Sequence, residues 1–367
     1  MLTGCSGNRQ SDDGLITIDV TKSYPMKELI LQEFMDVEYI PLETNDEFLC
    51  QGLVQAIGKN VILLKNRSLN DGDIFLYDRN GKALRKINHR GQGPEEYVYI
   101  LKIALDEDNN EMFVNCPVSR KVQVYDLYGK FKRSLKYKEG DRSLFYSDIF
   151  NFDRDNLICY EQFNEDIAFV LISKQDGSIT KEIIIPFKEK KEARIVNSTA
   201  SVSHNPYGII PYQDSWILTE LSSDTIFSYS HDHNMKPFIR RTPSIQSMNL
   251  EVFLMGILTD RYYFMETVKK IYDFVAQTGF PSTELMYDKQ EQAFFEYNVY
   301  NSDYFNNKQV NMISRPVNDE IATYQILEAY QLVEDYEKGL LKGRLKEIAA
   351  ELDAEDNPVI MIAKHKK

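Results

Sequence analysis

The 367-residue chain has five imidazoles: His89, His204, His231, His233 and His365. One pair has metal-ligand spacing. In Ser230-His-Asp-His-Asn234 both rings fall on one side of an extended backbone, where they could share a zinc or copper ion. No third ligand can be identified for them, so a polar hairpin turn is expected and no metal site is assigned. The run Asp106-Glu-Asp-Asn-Asn110 offers oxygen ligands but lacks the glycine and closing glutamate of a calcium loop. A solvated turn is expected there. The sequence contains no Gly-x-Ser-x-Gly, no phosphate-binding glycine loop and no His-Glu-x-x-His. It therefore implies no cofactor and specifies no reaction.

Arginines in loops offer more. Arg67 lies in Asn66-Arg-Ser-Leu-Asn-Asp-Gly-Asp73. Arg90 and Gln92 lie in His89-Arg-Gly-Gln-Gly-Pro-Glu-Glu-Tyr97, and Asn115 and Arg120 in Asn115-Cys-Pro-Val-Ser-Arg-Lys121. Guanidinium forks suit carboxylates, sulfates and sugar hydroxyls. Such a concentration stands out in a chain of net charge −13. The competing reading is structural: Gly91, Gly93 and Pro94 shape a turn, and Arg120 bonds backbone carbonyls. The expected ligand-binding set is Arg67, Arg90, Gln92, Asn115 and Arg120.

The elements that would carry these loops repeat along the chain. Ile74-Phe-Leu-Tyr-Asp-Arg-Asn-Gly-Lys82, Val122-Gln-Val-Tyr-Asp-Leu-Tyr-Gly-Lys130 and Val170-Leu-Ile-Ser-Lys-Gln-Asp-Gly-Ser178 are three copies of strand, turn and strand. Their glycines, Gly81, Gly129 and Gly177, follow at a regular period of about 48 residues, within the range of propeller blades. An Asp-initiated turn with glycine in the left-handed position is hairpin chemistry. A looser strand pair precedes each copy, as in Ile103–Asn115 and Ile149–Cys159, and recurs at Ile210–Leu218. Each repeat thus holds about four short strands.

Residues 103–135 resemble an NHL-type repeat, and the chain as a whole resembles the six-bladed β-propeller lipoproteins of Bacteroidota (NHL/TolB-like). Four landmarks carry that resemblance. Leu2-Thr-Gly-Cys5 looks like a lipobox, followed by a polar tether. The others are Val37-Glu-Tyr-Ile-Pro-Leu-Glu-Thr44, the Gly91–Tyr97 segment, and Leu345-Lys-Glu-Ile348 with Asp356-Asn-Pro-Val-Ile-Met-Ile362. The family pattern often has glycine where Glu95 stands. The resemblance implies lipidation at Cys5 and a location in the cell envelope, and says little about function.

The expected fold is all-β: a six-bladed β-propeller closed by N- and C-terminal strands, with a C-terminal helical hairpin. Residues 1–15 are the lipobox remnant and tether, and 16–367 one propeller. Blades are expected near 52–89, 99–136, 146–187, 207–241 and 250–300. The sixth is assembled from Val310–Ile313, Val359–Ile362 and Val37–Leu42. Helices are expected near 319–337 and 340–352, with Ile326, Tyr330 and Val333 on one face, Leu341, Leu345, Ile348 and Leu352 on the other helix's face, and Gly339 between the helices.

Composition narrows the function. Tyr (23) and Phe (20) far outnumber the single Trp216, which favours pleated surfaces. The net charge of −13 argues against a nucleic-acid partner. No run of about 18 apolar residues marks a membrane helix, which leaves a lipid anchor as the membrane attachment. Cys50, Cys116 and Cys159 read as buried small hydrophobes. The leading expectation is a non-enzymatic surface or periplasmic lipoprotein that binds a glycan, peptide or protein partner through one propeller face. The alternative is a metal-dependent hydrolase or lyase of lactonase-like propeller type, which needs ligands converging from several blades. A third is a scaffold that docks through its helices, which a large exposed apolar helix patch would support.

Overall fold

The computed structural model describes residues 14–68, 71–137, 145–204, 207–248, 251–314 and 317–366. Cys5 lies outside them. The chain divides into two compact units. One comprises Met1–Leu29, Ile185–Val299 and Asn311–Arg315; the other comprises Ile30–Ile184, Tyr300–Val310 and Pro316–Lys367.

The chain starts with three strands that join sheets formed much later in the sequence: β1 (Ile16–Asp19), β2 (Met26–Ile30) and, after the one-turn helix α1 (Leu31–Phe34), β3 (Met35–Pro41). Three antiparallel four-stranded blades follow in sequence order. They are β4 to β7 (Leu53–Ile57, Val61–Lys65, Asp73–Asp78, Ala83–Asn88), β8 to β11 (Lys102–Asp106, Glu111–Cys116, Lys121–Asp126, Phe131–Lys136) and β12 to β15 (Asp148–Asn151, Asn156–Tyr160, Phe169–Ser173, Ile179–Ile183). After the hairpin β16 and β17 (Arg194–Val196, Ser201–Ser203) come blade four, β18 to β21 (Ile209–Tyr212, Ser215–Leu218, Thr225–Ser230, Met235–Thr242), and blade five. Blade five is β22 (Glu251–Leu258), β23 (Tyr262–Lys269), β26 (Ser282–Asp288) and β27 (Ala293–Asn301), with the small hairpin β24 and β25 (Tyr272–Asp273, Thr278–Gly279) between its second and third strands. β1 extends blade four in parallel to β21, and β2 extends blade five beside β27.

Blade six follows the short strand β28 (Lys308–Gln309). It contains β29 (Ile321–Leu327), β30 (Val359–His365) and β3 in the order β29-β30-β3, with α2 (Ala329–Glu337) and α3 (Gly343–Ala349) inserted before β30. A strand from the start of the chain therefore pairs with one from its end, from Met35↔His365 to Pro41↔Val359. The six blade sheets make this an all-β, six-bladed β-propeller with a C-terminal helical hairpin.

Two local expectations need correction. Residues 321–327, expected at the start of a helix, form β29, so Ile326 faces a strand neighbour, Ile360, and not a helix turn. The run Ile-Ala-Thr-Tyr-Gln-Ile-Leu is compatible with either period, and pairing with β30 decides it. The second concerns one residue of the expected solvated turn, in which Asp108, Asn109 and Asn110 are exposed but Asp106 is not. Asp106 is 3 % exposed, and its carboxylate lies 2.5 Å from Nζ of Lys174, itself 2 % exposed. Lys174 also donates to Asp153 O, while its own carbonyl accepts from Arg133, whose guanidinium clamps Glu111 with two bonds of 2.7 and 2.8 Å. The turn therefore joins blade two to blade three.

The period-48 glycines have a shared reason. A Cβ on Gly81 would sit 2.0 Å from Pro41 O, and one on Gly177 2.7 Å from Lys136 O, with φ of +83° and +82°. Each turn docks on the outermost strand of the preceding blade, where only glycine tolerates both the approach and the left-handed conformation. In the second unit the core fills the gaps between neighbouring blades: Phe75, Tyr77 and Ile360 in one cluster, Tyr97, Met112 and Tyr125 in another, Phe113, Tyr146 and Leu157 in a third. In the first unit Ile210, Ile239, Met265 and Tyr287 do the same between blades four and five. Cys50, Cys116 and Cys159 are buried free thiols.

Candidate functional site

The second unit brings the expected arginine loops into contact. Tyr97 closes the His89–Tyr97 loop: its backbone N–H donates to His89 O, and its hydroxyl donates to Gly72 O at 2.7 Å in the loop that carries Arg67. Gly72 leaves room for Arg90, since an added Cβ would lie 2.6 Å from Arg90 Cβ. Across the next blade, Pro94 O accepts from Lys121 Nζ and Gln123 Nε2, and Tyr125 donates to Glu95 O. Arg67, Arg90, Gln92 and Arg120 are exposed. Arg67 is 3.2 Å from Glu328 at the start of α2. Asn115 is turned inward and fully buried. Its amide donates to Tyr146 O at 2.7 Å and its oxygen accepts from the Tyr137 hydroxyl, so its side chain is committed to the core. Arg120 caps a short 3-10 turn in the left-handed conformation, and its carbonyl accepts from Tyr137 N–H. The result is a basic rim on well-fixed loops.

His231 and His233 sit exposed in the turn between β20 and β21, where the Tyr229 hydroxyl pairs with His233 Nδ1 at 2.8 Å. Among the described residues no group of three or more His, Cys, Asp or Glu side chains could hold a metal ion.

The first unit holds a site of another kind. In blade five, Leu254, Glu266 and Glu284 are direct partners across β22, β23 and β26. Partners in one cross-strand row project to the same face, so the two carboxylates stand side by side. Like charges in that position oppose sheet formation. They border a cavity of about 220 Å3, whose walls include Leu254, Ile313, His204 and Tyr207. Gly256 brings Ile313 there: Ile257 N–H donates to Met312 O at 3.0 Å, and a Cβ on Gly256 would lie 2.5 Å from that oxygen. His204 is held by its N–H on Ala193 O and places Nε2 3.3 Å from Glu266 Oε1. Glu266 is 6 % exposed. Burial first, then the charge of Glu266, pushes the Glu284 carboxyl above its ordinary value. The buried Tyr297 hydroxyl lies beside Glu284 and, as a donor to it, partly opposes that rise. Such an arrangement can hold a cation, accept hydrogen bonds or pass a proton.

Sequence reasoning missed this cavity. The available signal was a glutamate at an inward position of each of two core strands, Tyr262-Tyr-Phe-Met-Glu-Thr-Val268 and Ser282-Thr-Glu-Leu-Met-Tyr287. That the two are partners depends on a register set across the β24–β25 hairpin, which neither strand shows alone.

Blade sheets and terminal strand pairing define a six-bladed β-propeller. Within that class, the chain belongs to the family described as Domain of unknown function DUF4934, whose model matches residues 15–364. A solved structure of a Bacteroides fragilis NCTC 9343 protein, provisionally described as exported, is similar with 16% identity and a TM-score of 0.63, covering 93% of this chain and 99% of that one. A member of the DUF4221 family from Bacteroides vulgatus ATCC 8482 has 11% identity and a TM-score of 0.49, covering 91% of this chain and 98% of that one. No curated protein matches the sequence.

Proposed function

We propose that this protein is an exported, envelope-associated binding protein whose ligand seats in the acidic cavity of blade five. The observation that carries the reading is the Glu266–Glu284 pair, set side by side at a cost to the sheet and bordering a cavity of about 220 Å3. A carboxyl raised by burial and by a neighbouring charge, set at a cavity, is a functional-site candidate. The similarity to a Bacteroides protein described as exported supports the location, as does the Leu2-Thr-Gly-Cys5 sequence, which we take as the acylation site. The test is a ligand screen by thermal shift on wild type and Leu254→Trp, which fills the cavity. Compounds that stabilise wild type and not the variant support the reading; a screen with no such compound counts against it.

A second reading rests on the basic rim. Among the described residues the Arg90 and Arg120 side chains make no ion pair, and their loops are held by Tyr97 and Gln123. An acidic glycan or peptide would meet them there. Arg90→Ala with Arg120→Ala should weaken such binding at least tenfold, each lost charged hydrogen bond costing about 1.5 kcal/mol or more. Unchanged affinity in a glycan-binding assay would end this reading.

A further inference from the structure

We infer that the blade-five cavity recognises a primary alkylammonium group, either on a small amine or at the tip of a lysine side chain. The inference rests on the proposed cavity reading and names its ligand class. Four observations lead to it. First, Glu266 and Glu284 are cross-strand partners on one face, so two carboxylates stand side by side at the cavity. An ammonium carries three diverging donors and can meet both, whereas a planar guanidinium matches one carboxylate edge. Second, His204 Nε2 lies against Glu266, and among the described residues no basic side chain pairs with Glu284, which leaves Glu284 as the group to be neutralised. Third, the Tyr297 hydroxyl, on a residue 2 % exposed, lies beside Glu284, has no other hydrogen-bond partner among the described residues, and as a donor favours the ionised carboxylate that a cation would meet. Fourth, Leu254 and Ile313 supply apolar wall for a carbon chain. Scaled from a cavity of about 150 Å3 that takes benzene, this one holds roughly nine non-hydrogen atoms, enough for a lysine side chain or a short alkylamine.

Binding must then release a proton. The titratable groups facing Glu284 are Glu266 on β23, Tyr297 on β27, and His204 and Tyr207 ahead of β18. Burial, then the charge of Glu266, raises the Glu284 carboxyl, and a bound cation would lower it again. Affinity therefore rises with pH until Glu284 is ionised in the free protein.

The test is calorimetric titration of the full chain with n-hexylamine, 1-hexanol and Nα-acetyl-lysine methylamide, at pH 5 and pH 8. It uses wild type, Glu284→Gln and Leu254→Trp, each first shown to melt cooperatively. The expected result is saturable 1:1 binding of hexylamine, at least tenfold tighter than hexanol, tightening with pH in wild type. Glu284→Gln should bind at least tenfold more weakly and lose the pH dependence. Binding of the acetyl-lysine amide within tenfold of hexylamine would point to a lysine side chain as the natural source, and its exclusion to a free amine; either supports the ammonium. Hexylamine no tighter than hexanol, or unaffected by Glu284→Gln, overturns it. If hexanol or a neutral sugar binds and only Leu254→Trp abolishes that, the cavity reading survives without the ammonium. If nothing responds to Leu254→Trp, both fall.

Discussion

At the scale of single residues, two acidic positions of one strand of blade five, Asp288 and Glu284, behave in opposite ways. Burial would raise the Asp288 carboxyl, but bonds from Arg261 and Lys27, at 3.0 and 2.8 Å, outweigh it and hold the group down at about 2. A carboxyl lowered on folding stabilises the native state above its unfolded value and loses that contribution as pH falls through the folded one. Asp288→Asn should therefore cost about 2 kcal/mol at pH 7, a difference that closes between about pH 4 and pH 2 in denaturant titrations of variant and wild type. Glu284 is raised instead. Its protonated form is favoured by folding, so its contribution is present at low pH and declines as pH climbs past the ordinary carboxyl value. Glu284→Gln should raise the melting temperature at pH 7 and leave it unchanged near pH 3. A lower melting temperature at pH 7 would show that the carboxylate is stabilising there.

At the scale of elements, stability of the second unit depends on how the chain end is pinned. Asn357 precedes β30 and is 3 % exposed. It accepts from Cys50 N–H at 2.9 Å and donates to Phe48 O and Glu43 O at 2.5 and 2.9 Å. The loop after β3 is thereby tied to the strand that pairs with β3. Asn357→Ala leaves those buried groups without partners, and a loss of about 2 to 4 kcal/mol is expected, read as a drop in the unfolding midpoint. Gly81→Ala tests the blade contact. With φ of +83° and Pro41 O 2.0 Å from the added carbon, it should cost at least about 2 kcal/mol. The same change at Gly14, where nothing lies within 4 Å, carries only the conformational part.

At the scale of the whole molecule, the acylation proposal makes a separate prediction. Expressed behind a lipoprotein signal peptide in a Bacteroides host, the protein should fractionate with membranes, and Cys5→Ser should move it to the soluble fraction. A soluble wild type would remove the anchor. No described helix is long and apolar enough to cross a membrane.

The sequence alone determined much of this protein because blade-making is local. Turn chemistry at Asp78-Arg-Asn-Gly81 and its copies, alternation within strands, and a regular period name the blades, and an incomplete sixth blade at the end of the chain calls for a strand from its start, Val37–Leu42. Tertiary structure decided what depends on register and burial. It made residues 321–327 a strand by supplying β30 as a partner, and it turned Asp106 from a solvated turn residue into the buried mate of Lys174. It committed Asn115 to the core while leaving Arg90 and Arg120 exposed. It also set Glu266 beside Glu284, because two strands separated by a hairpin meet in a register that neither strand encodes by itself.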